Sequence, residues 1–428
     1  MQLKQRQTCR VCGSPHLKPV IDLGEQYLQG AFVMPDSPPP PTTRFPMLLL
    51  RCDTSRNPQA CGLLQMAYSV PPAILYANYW YRSGVNNTMR EHLRGIVEGA
   101  MATVGGNDRR VLDIGCNDGT LLRCYPEAFD RIGVDPSDIA RDIAPPIRVV
   151  NTTYPSEAAT ELLRDRKVDI VTSIAMFYDL EDPVGFARSI KDVLAPDGIW
   201  VVEMSYLPTM LAQNSLDTIC HEHLEYYSLA ALEFIFRAAG MKVFAVELNG
   251  INGGSIRCTV THADNARYDT AEAHARLAQM RAAETALQLD TDKPYVAFQE
   301  RIAAVRSKLQ SLLGSIKSEG KSIHIYGAST KGNVLLQWCG IDTALVDCAA
   351  DRNPDKHGAR TLGTNIPIVS EEESRARKPD YYLVLPWHFQ DEFLRREREM
   401  ILAGTKMIFP LPEVSVVGCA DLEVAIRQ

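Results

Sequence analysis

Between residues 87 and 249, short apolar runs alternate with segments of amphipathic helical period. The apolar runs are typical of buried strands, and they read RRVLDIGC, RIGVD, VDIVTSIAM, GIWVVEMSY and KVFAVELNG. The segment DPVGFARSIKDVLAP has the period of an amphipathic helix. Strands that alternate with helices are joined by right-handed crossovers into a sheet with helices on both faces. The sequence therefore predicts an α/β fold built on a doubly wound sheet.

The stretches on either side of this region follow other patterns. Up to about residue 70 the chain is rich in Cys, Pro and Gly and poor in periodic apolar segments. Such a stretch cannot build a core of its own, so its fold needs an additional stabilising link. Residues 269–318 are typical of long, charged helix, and a second strand–turn–helix pattern begins at SIHIYGASTKGN. We therefore expect three domains, at residues 1–70, 71–248 and 249–428, the last of which is a second Rossmann-like domain.

Charge and cysteine content narrow the class of partner. The net charge of -7 offers no general attraction to nucleic acid or anionic lipid, and no apolar segment is long enough to cross a membrane. Eleven cysteines, an odd number spread over 428 residues, argue against a disulfide framework and for a reducing compartment. We expect a cytoplasmic enzyme, a monomer or small homo-oligomer, that binds neither nucleic acid nor membrane.

The segment VLDIGCNDGTLL carries the strongest cofactor signal. Its strand runs into a tight turn of small residues, which predicts a helix N-terminus with free N–H groups facing a ligand. A dinucleotide turn would read G-x-G-x-x-G, whereas Asp118 suits a ligand with a positive sulfonium and amino group. Asp135 ends the next strand, where a carboxylate accepts both hydroxyls of a ribose. The pattern predicts S-adenosylmethionine, with a structural glycine turn or a dinucleotide site as alternatives. The expected contacts are Asp113, Gly115, Asn117, Asp118, Gly119 and Asp135.

Four N-terminal cysteines have the spacing of a metal site. Cys9 and Cys12 form C-x-x-C, and Cys52 and Cys61 follow as C-x8-C. Four thiolates can hold tetrahedral zinc with no open position, so the metal would be structural. The alternative is two reduced cysteine pairs without metal.

A run of titratable residues follows the strand GIWVVEMSY, near the carboxyl edge of the sheet where such folds bind ligands. The run DTICHEHLEYY contains His221, Glu222 and His223, and it lacks the H-E-x-x-H spacing of a zinc site. A histidine beside carboxylates suits proton abstraction, although a lone histidine is more often structural. In an extended segment both histidines face one side, so local geometry does not choose between them.

Taken in order, five motifs resemble the sugar C-methyltransferases of deoxysugar pathways. They are the four cysteines, DIGCNDG, HEHLEYY, GGSIR at 253–257 and GASTKGN at 327–333, and together they cover nearly the whole chain. The resemblance implies a class I methyltransferase domain between a small zinc-binding domain and a Rossmann-like C-terminal domain that contributes to nucleotide-sugar binding. It also implies a substrate, a nucleotide-diphosphate 4-keto-6-deoxy sugar, that is methylated at the carbon next to the ketone, C3.

The resemblance implies roles for individual residues. His223 would remove the C3 proton, Glu222 would stabilise or orient this base, and the resulting enolate would attack the methyl carbon of the sulfonium. The candidate catalytic set is His223, Glu222, His221 and Tyr178.

The chain departs from the family pattern at several positions. Cys220 stands where many members have tyrosine, Ala175 and Asp179 stand where they have an Asn-x-x-x-His pair, and His388 replaces an asparagine. These changes leave the sugar stereochemistry and the methylated carbon open. Tyr178, with Asp179 and Cys220, could form a rearranged pocket or belong to the core.

An anionic substrate needs local positive charge on an acidic protein, and Arg82, Arg257 and Lys331 are the candidate cations. The alternative for Lys331 is a solvated turn residue, and the aromatic residues at 79–81 could equally be core. The candidate substrate contacts are Tyr79, Tyr81, Arg82, Ser83, Asp179, Cys220, Tyr226, Ser255, Arg257, Lys331, Trp387 and His388.

Two other functions compete with carbon methylation. One is O- or N-methylation of a sugar or other small metabolite at the same cofactor site. The other is a non-methylating protein, nucleotide-sugar-binding or oxidoreductase-like, which the missing G-x-G-x-x-G disfavours.

Overall fold

The computed structural model describes residues 3–36, 38–75 and 82–426. The predicted substrate residues Tyr79 and Tyr81 lie outside these ranges. Among the described residues, no helix is long and apolar enough to cross a membrane.

The N-terminal unit is a small, mainly antiparallel β structure. Its elements are β1 (Lys4–Gln5), β2 (Leu17–Gln26), β3 (Phe32–Val33), β4 (Phe45–Cys52), β5 (Leu64–Met66), β6 (Tyr68–Ser69) and α1 (Pro72–Leu75). β4 lies between β2 and β5 and pairs with both in antiparallel register. Along β4, Met47 and Leu49 point into the core and are completely buried.

The second unit contains the predicted doubly wound sheet. Its elements are α2 (Asn87–Val104), β7 (Arg110–Ile114), β8 (Asp130–Val134), β9 (Arg148–Val150), α3 (Glu157–Leu162), β10 (Val168–Ile174), α4 (Pro183–Val193), β11 (Leu194–Ser205), α5 (Leu207–Ala212), β12 (Glu225–Tyr226), α6 (Leu229–Ala238), β13 (Met241–Asn249) and β14 (Ser255–His262). Seven strands form the order β13-β14-β11-β10-β7-β8-β9, parallel from β11 to β9. The α/β prediction is confirmed.

The strand pairing crosses the predicted domain boundary at residues 248 and 249. β14 lies beyond that boundary, yet it is antiparallel to both β11 and β13 and so sits inside the sheet of the second unit. The tight Gly250–Gly254 connection allows this return, because it reverses the chain directly after β13. The second sheet therefore extends to His262.

The sequence predicts that a helix begins directly after the cofactor turn, over residues 117–125, and this prediction is wrong. A turn and a short 3-10 helix at Leu122–Cys124 occupy this stretch. The Asp118 carboxylate accepts hydrogen bonds from the backbone and hydroxyl of Thr120, and this local turn competes with a helix. Pro126 follows Tyr125, which takes up extended backbone as residues before proline do.

The third unit repeats the strand–helix alternation. Its elements are α7 (Ala271–Ala286), α8 (Lys293–Ser318), β15 (Ile323–Tyr326), α9 (Thr330–Cys339), β16 (Cys348–Asp351), β17 (Arg360–Thr361), β18 (Ile368–Ser370), α10 (Glu371–Ala376), β19 (Tyr381–Val384), α11 (Gln390–Arg396), α12 (Arg398–Leu402), β20 (Lys406–Phe409), β21 (Ser415–Val417) and α13 (Leu422–Ala425). The sheet order is β18-β16-β15-β19-β20-β21. The helix predicted over 269–318 is two helices, because Gln288 takes a left-handed φ of 54° and Pro294 lies in the first turn of α8.

The three units share strands and core. β12, from the second unit, pairs with β5 and extends the N-terminal sheet, and β17 of the third unit pairs with β3. One core cluster joins side chains of β2 and β4 to α8 and to the third sheet. The units therefore pack as one body around the segment that carries His221, Glu222 and His223.

Candidate functional site

The four predicted metal ligands meet in the N-terminal unit. Their sulfur atoms all lie within 4.8 Å of one another, with Cys9 Sγ 3.4 Å from Cys61 Sγ and Cys12 Sγ 3.5 Å from Cys52 Sγ. Four converging thiols are the donor set that tetrahedral zinc prefers. The hydrogen bonds that the Cys52 and Cys61 thiols direct at Cys12 lower its pKa, which favours the thiolate that a metal needs. The residues fit a zinc ion with no position left for a substrate.

The loop after β7 forms the predicted cofactor turn. Gly115 has φ 77°, and its N–H donates to the Val134 carbonyl at 2.8 Å, which ties the turn to β8. A Cβ at position 115 would lie 3.0 Å from the Met176 side chain, so a larger residue would close the gap. Asn117 also has a positive φ, and its Oδ1 accepts a hydrogen bond from the Ser83 N–H at 2.9 Å. Gly119, with φ 76°, packs beneath the turn against Ile143.

Asp135 stands at the end of β8, against this turn. Its Oδ2 accepts a hydrogen bond from the Asn117 N–H at 2.8 Å, and its Oδ1 accepts one from the Ser137 N–H at 2.7 Å. Each oxygen of a carboxylate has two lone pairs, so both retain capacity for another donor. The carboxylate therefore fits the two hydroxyls of the S-adenosylmethionine ribose.

Two further carboxyl groups shape the turn. Asp113 is buried beneath it and accepts a hydrogen bond from the Thr172 hydroxyl at 2.6 Å. Burial, with the charge of Asp135, raises the pKa of Asp113 to about 7. Asp118 accepts a hydrogen bond from the Gly84 N–H at 2.8 Å, and so holds the segment before α2 over the turn.

The third unit repeats this geometry. The Gly327 N–H donates a hydrogen bond to the Ala350 carbonyl. Asp351, at the end of β16, accepts a hydrogen bond from the Ala328 N–H at 2.8 Å. Lys356 lies 3.3 Å from the Asp351 carboxylate and donates to the Ala328 carbonyl. The second carboxylate is therefore already paired, whereas Asp135 makes only backbone hydrogen bonds in the described part of the chain.

His223 is held in a defined orientation. Its Nδ1 lies 2.8 Å from the Thr218 carbonyl, so the neutral ring carries its proton there and presents an unprotonated Nε2. The Tyr178 ring packs on the imidazole with centroids 4.1 Å apart. Burial, with the positive charge of Lys331, lowers the pKa of His223 to about 3, so the ring is a neutral acceptor at physiological pH. A narrow gap beside it is lined by Tyr178, Ser205, Tyr206, Leu207, Met210, Thr218, His223, Glu225 and Tyr226.

His221 and Glu222 face other partners. The His221 Nδ1 lies 2.6 Å from Oε1 of the buried Gln29, and burial lowers the pKa of His221 to about 4. Burial raises the pKa of Glu222, whose carboxyl group lies against Gly30. The Thr218 carbonyl fixes the His223 ring, and the role of Glu222 in stabilising or orienting this base stays a prediction.

The third unit supplies a second set of side chains to this region. The Lys331 ammonium donates to the Asn252 carbonyl at 2.8 Å, beside the 251–254 loop. Trp387 is buried, and its Nε1 donates to Asp217 Oδ2 at 2.9 Å. His388 follows, and burial, with the Lys331 charge, lowers its pKa to about 3. These predicted substrate residues therefore lie close to residues 221–223, the HEH segment.

Cys220, Tyr226 and Asp179 are three further predicted substrate residues. Cys220 and Tyr226 are both buried, and burial raises the pKa of each side chain. The Asp179 carboxylate is half-buried, and its charge raises the pKa of both groups further.

The remaining candidates have structural partners. Arg257 Nε donates to Glu203 at 2.8 Å, and its Nη1 donates to Glu247 at 3.2 Å. The Ser255 hydroxyl is buried and donates to the Ile251 carbonyl at 2.9 Å. The Ser83 N–H donates to Asn117 of the cofactor turn, and Arg82 lines an open cavity of about 640 Å³ next to that turn. Arg257 thus ties β14 to both neighbouring strands, and Ser255 ties β14 to the loop before it.

Sequence reasoning missed Gln29, Asp217 and Thr218. Gln29 accepts a hydrogen bond from the His221 ring across 192 residues of sequence, and no local pattern announces such a contact. Thr218 acts through its carbonyl, which every residue has. Asp217 opens the DTICHEH segment, and its place at the start of this run of titratable residues was the one available signal.

Comparison with known proteins gives three consecutive family matches. A zinc binding domain matches residues 9–76, a methyltransferase domain matches residues 86–246, and a C-methyltransferase C-terminal domain matches residues 250–412. C-methyltransferase NovU of Streptomyces niveus is 30% identical over 417 residues, which cover 96% of each chain.

Other relatives match a smaller share of the chain. The tRNA U34 carboxymethyltransferase of Pseudoalteromonas translucida is 28% identical over 37% of this chain and 50% of its own. The solved structure of an S-adenosylmethionine-dependent methyltransferase from Clostridium acetobutylicum covers 44% of this chain and 95% of its own, at 12% identity and a TM-score of 0.32.

The match to NovU runs through all three units, and the cofactor turn and cysteine cluster lie within the matched domains. Carbon methylation is therefore favoured over the O-methylation, N-methylation and non-methylating alternatives. This chain belongs to the C-methyltransferase family and is an S-adenosylmethionine-dependent enzyme with a zinc-binding domain.

Proposed function

We propose that this enzyme methylates C3 of a nucleotide-diphosphate 4-keto-6-deoxy sugar, with His223 as the base. The observation that carries the proposal is the anchored His223 ring, whose Nδ1–H is fixed by the Thr218 carbonyl and whose Nε2 stays unprotonated. A carbon-bound proton becomes removable when it lies next to a carbonyl group, and it then needs a base within hydrogen-bond reach.

The lowered pKa of His223 has two opposing effects. It keeps the ring neutral at neutral pH, so Nε2 is free to accept a proton. It also makes the imidazole a weak base, so the enolate needs stabilisation by a nearby donor or cation. Bound S-adenosylmethionine supplies an electrophilic methyl group whose sulfur accepts the bonding electron pair on transfer.

The Glu222 carboxyl group supports a sugar substrate. Its Oε2 is buried and has no hydrogen-bond partner among the described residues. Buried polar atoms are nearly always paired, so a substrate hydroxyl is a fitting partner for this oxygen. The identity of the sugar as a 4-keto-6-deoxy compound rests on the motif resemblance, and cytoplasmic location rests on the need for reduced thiols at the metal centre.

Replacing His223 by alanine tests the base. We expect His223→Ala to bind S-adenosylmethionine normally and to lose methyl transfer, and also solvent deuterium exchange at C3, by about 100-fold or more. Exchange is followed by mass spectrometry of thymidine diphosphate 4-keto-6-deoxyglucose without the methyl donor. The matched control is His274→Ala, which removes an exposed histidine of α7.

Two results would contradict the proposal in different ways. Exchange at the wild-type rate in His223→Ala would place the base elsewhere. An absence of exchange in the wild-type protein with both thymidine and uridine diphosphate keto sugars would reject the substrate class.

A further inference from the structure

Lys331 brings a single positive charge from the third unit to the base. Its ammonium donates one hydrogen bond, to the Asn252 carbonyl at 2.8 Å. An ammonium group has three N–H donors, so two remain for a ligand. In the stretches that the structure describes, Lys331 is the one cationic side chain whose charge acts on His223.

The backbone geometry explains this approach. Lys331 lies in the first turn of α9, and α9 packs against the short turn at residues 216–218 whose carbonyl holds His223. The neighbouring Thr330 and Glu222 lie on the same side of Gly30, because a Cβ there would be 3.6 Å from Thr330 Oγ1 and 2.4 Å from Glu222 Oε1. The first turn of α9 and the HEH segment therefore meet at Gly30.

We propose that the Lys331 ammonium contacts the ketone oxygen of the substrate and stabilises the negative charge that forms there. This inference rests on the proposed function. His223 Nε2 takes the proton from C3, the C–H electron pair forms a C3–C4 double bond, and the carbonyl π pair moves onto the oxygen beside Lys331. When the new C–CH₃ bond forms, the carbonyl returns and the S–CH₃ electron pair stays on sulfur.

The surroundings of Lys331 favour the ketone oxygen, and not the diphosphate, as the substrate group that the ammonium contacts. Asp217 is buried nearby, and its Oδ1 has no hydrogen-bond partner among the described residues. Burial lowers the pKa of Lys331, and the Asp217 carboxylate partly opposes this shift. A diphosphate would bring two or more negative charges toward this acid, whereas a ketone is neutral until the reaction begins. A preorganised cation in a water-poor site acts most strongly on charge that develops there.

Kinetic separation of binding and chemistry tests the role. We expect Lys331→Ala and Lys331→Met to lower kcat for deuterium exchange about 100-fold or more, the loss typical of one oxyanion donor, with KM changed less than about threefold. Ethylammonium should partly restore exchange in Lys331→Ala and should not affect Lys331→Met, whose side chain fills the space. Lys308→Ala, at an exposed position of α8, is the control.

S-adenosylmethionine binding by calorimetry verifies that each variant is folded, and Lys331→Arg serves as a charge-conserving second variant that should keep more exchange than Lys331→Met. If Lys331→Ala raises KM more than about tenfold with kcat intact, Lys331 binds the phosphates and the inference is wrong. Wild-type exchange in both Lys331→Ala and Lys331→Met also overturns it. These results differ from loss of exchange in the wild-type enzyme, which rejects the keto sugar itself.

Discussion

Two histidines separated by one residue have different surroundings. The His221 ring contacts Gln29 and the Phe45 ring of the N-terminal unit, whereas His223 contacts the Thr218 carbonyl and the Tyr178 ring. An extended segment would have turned both rings to one side, but the backbone bends here, and the His223 N–H donates to the Cys220 carbonyl at 3.1 Å. The bend places His223, and not His221, where the charge of Lys331 lowers the pKa of the ring.

Asp135 provides a prediction at the residue scale. We expect Asp135→Ala to weaken S-adenosylmethionine binding by about 1–3 kcal/mol, because it removes a charged acceptor of hydrogen bonds. The variant also frees the Asn117 and Ser137 N–H groups, which loosens the turn. Calorimetry measures the change, and Asp138→Ala, an exposed acid one turn further on, should bind as the wild type does. Equal affinity in Asp135→Ala would show that the ribose lies elsewhere.

The sequence predicted the individual residues of this site better than their partners. The cofactor turn, the acid after the next strand and the four cysteines follow fixed spacings, so each could be found locally. The partner of His221 is Gln29, and the partner of Trp387 is Asp217, at separations of 192 and 170 residues. Such pairs depend on how whole units dock, which no local pattern specifies.

At the scale of elements, β12 connects the metal centre to the base. β12 begins two residues after His223 and pairs with β5, and β5 pairs with β4, whose last residue is the ligand Cys52. Arg10 lies in the loop between the ligands Cys9 and Cys12. Its buried Nε is 3.6 Å from the carboxylate of Glu225 in β12. The cysteine cluster is thus connected through β4 and β5 to β12, the edge strand of the N-terminal sheet that follows the HEH segment.

Loss of a zinc ligand should lower the stability of the protein and slow methyl transfer, because β12 links the metal centre to the HEH segment. We expect Cys52→Ser to contain less than about one equivalent of zinc, to unfold at lower temperature and to transfer methyl groups more slowly. Affinity for S-adenosylmethionine should change little, because the cofactor turn lies on β7 and β8. Metal analysis, thermal melting and calorimetry measure these effects, with the exposed Cys419→Ser as control. Metal-free wild-type protein of full stability and activity would refute the coupling.

At the scale of the whole molecule, His221, His223 and His388 lie where the three units meet. Burial lowers the pKa values of these residues to about 4, about 3 and about 3, against 6.5 for an unperturbed histidine. Above pH 6.5 they are neutral in both folded and unfolded chains. As the pH falls below 6.5, the unfolded chain binds protons that the folded chain does not, so stability falls until the folded pKa is reached.

The size of this effect can be measured at His221. Its contribution to the free energy of unfolding should fall by about 2 kcal/mol from pH 7 to pH 5, at about 1.4 kcal/mol per pH unit below 6.5. Denaturant titration of His221→Gln should therefore show a smaller loss between these two pH values than the wild type. His274→Gln, at an exposed position, should match the wild type. The same loss in His221→Gln would show that His221 is not the group that titrates.

The pairing of β5 with β12 also constrains how the protein is made. Gln65 of β5 faces Glu225 of β12, and 160 residues separate them along the chain. At a synthesis rate of about 5–20 residues per second, β12 leaves the ribosome about 8–32 s after β5. Until then β5 has an unpaired edge of the kind that invites association with other chains. The nascent N-terminal unit therefore spends this interval open, and a ribosome that stalls before residue 225 leaves it exposed for as long as the stall lasts.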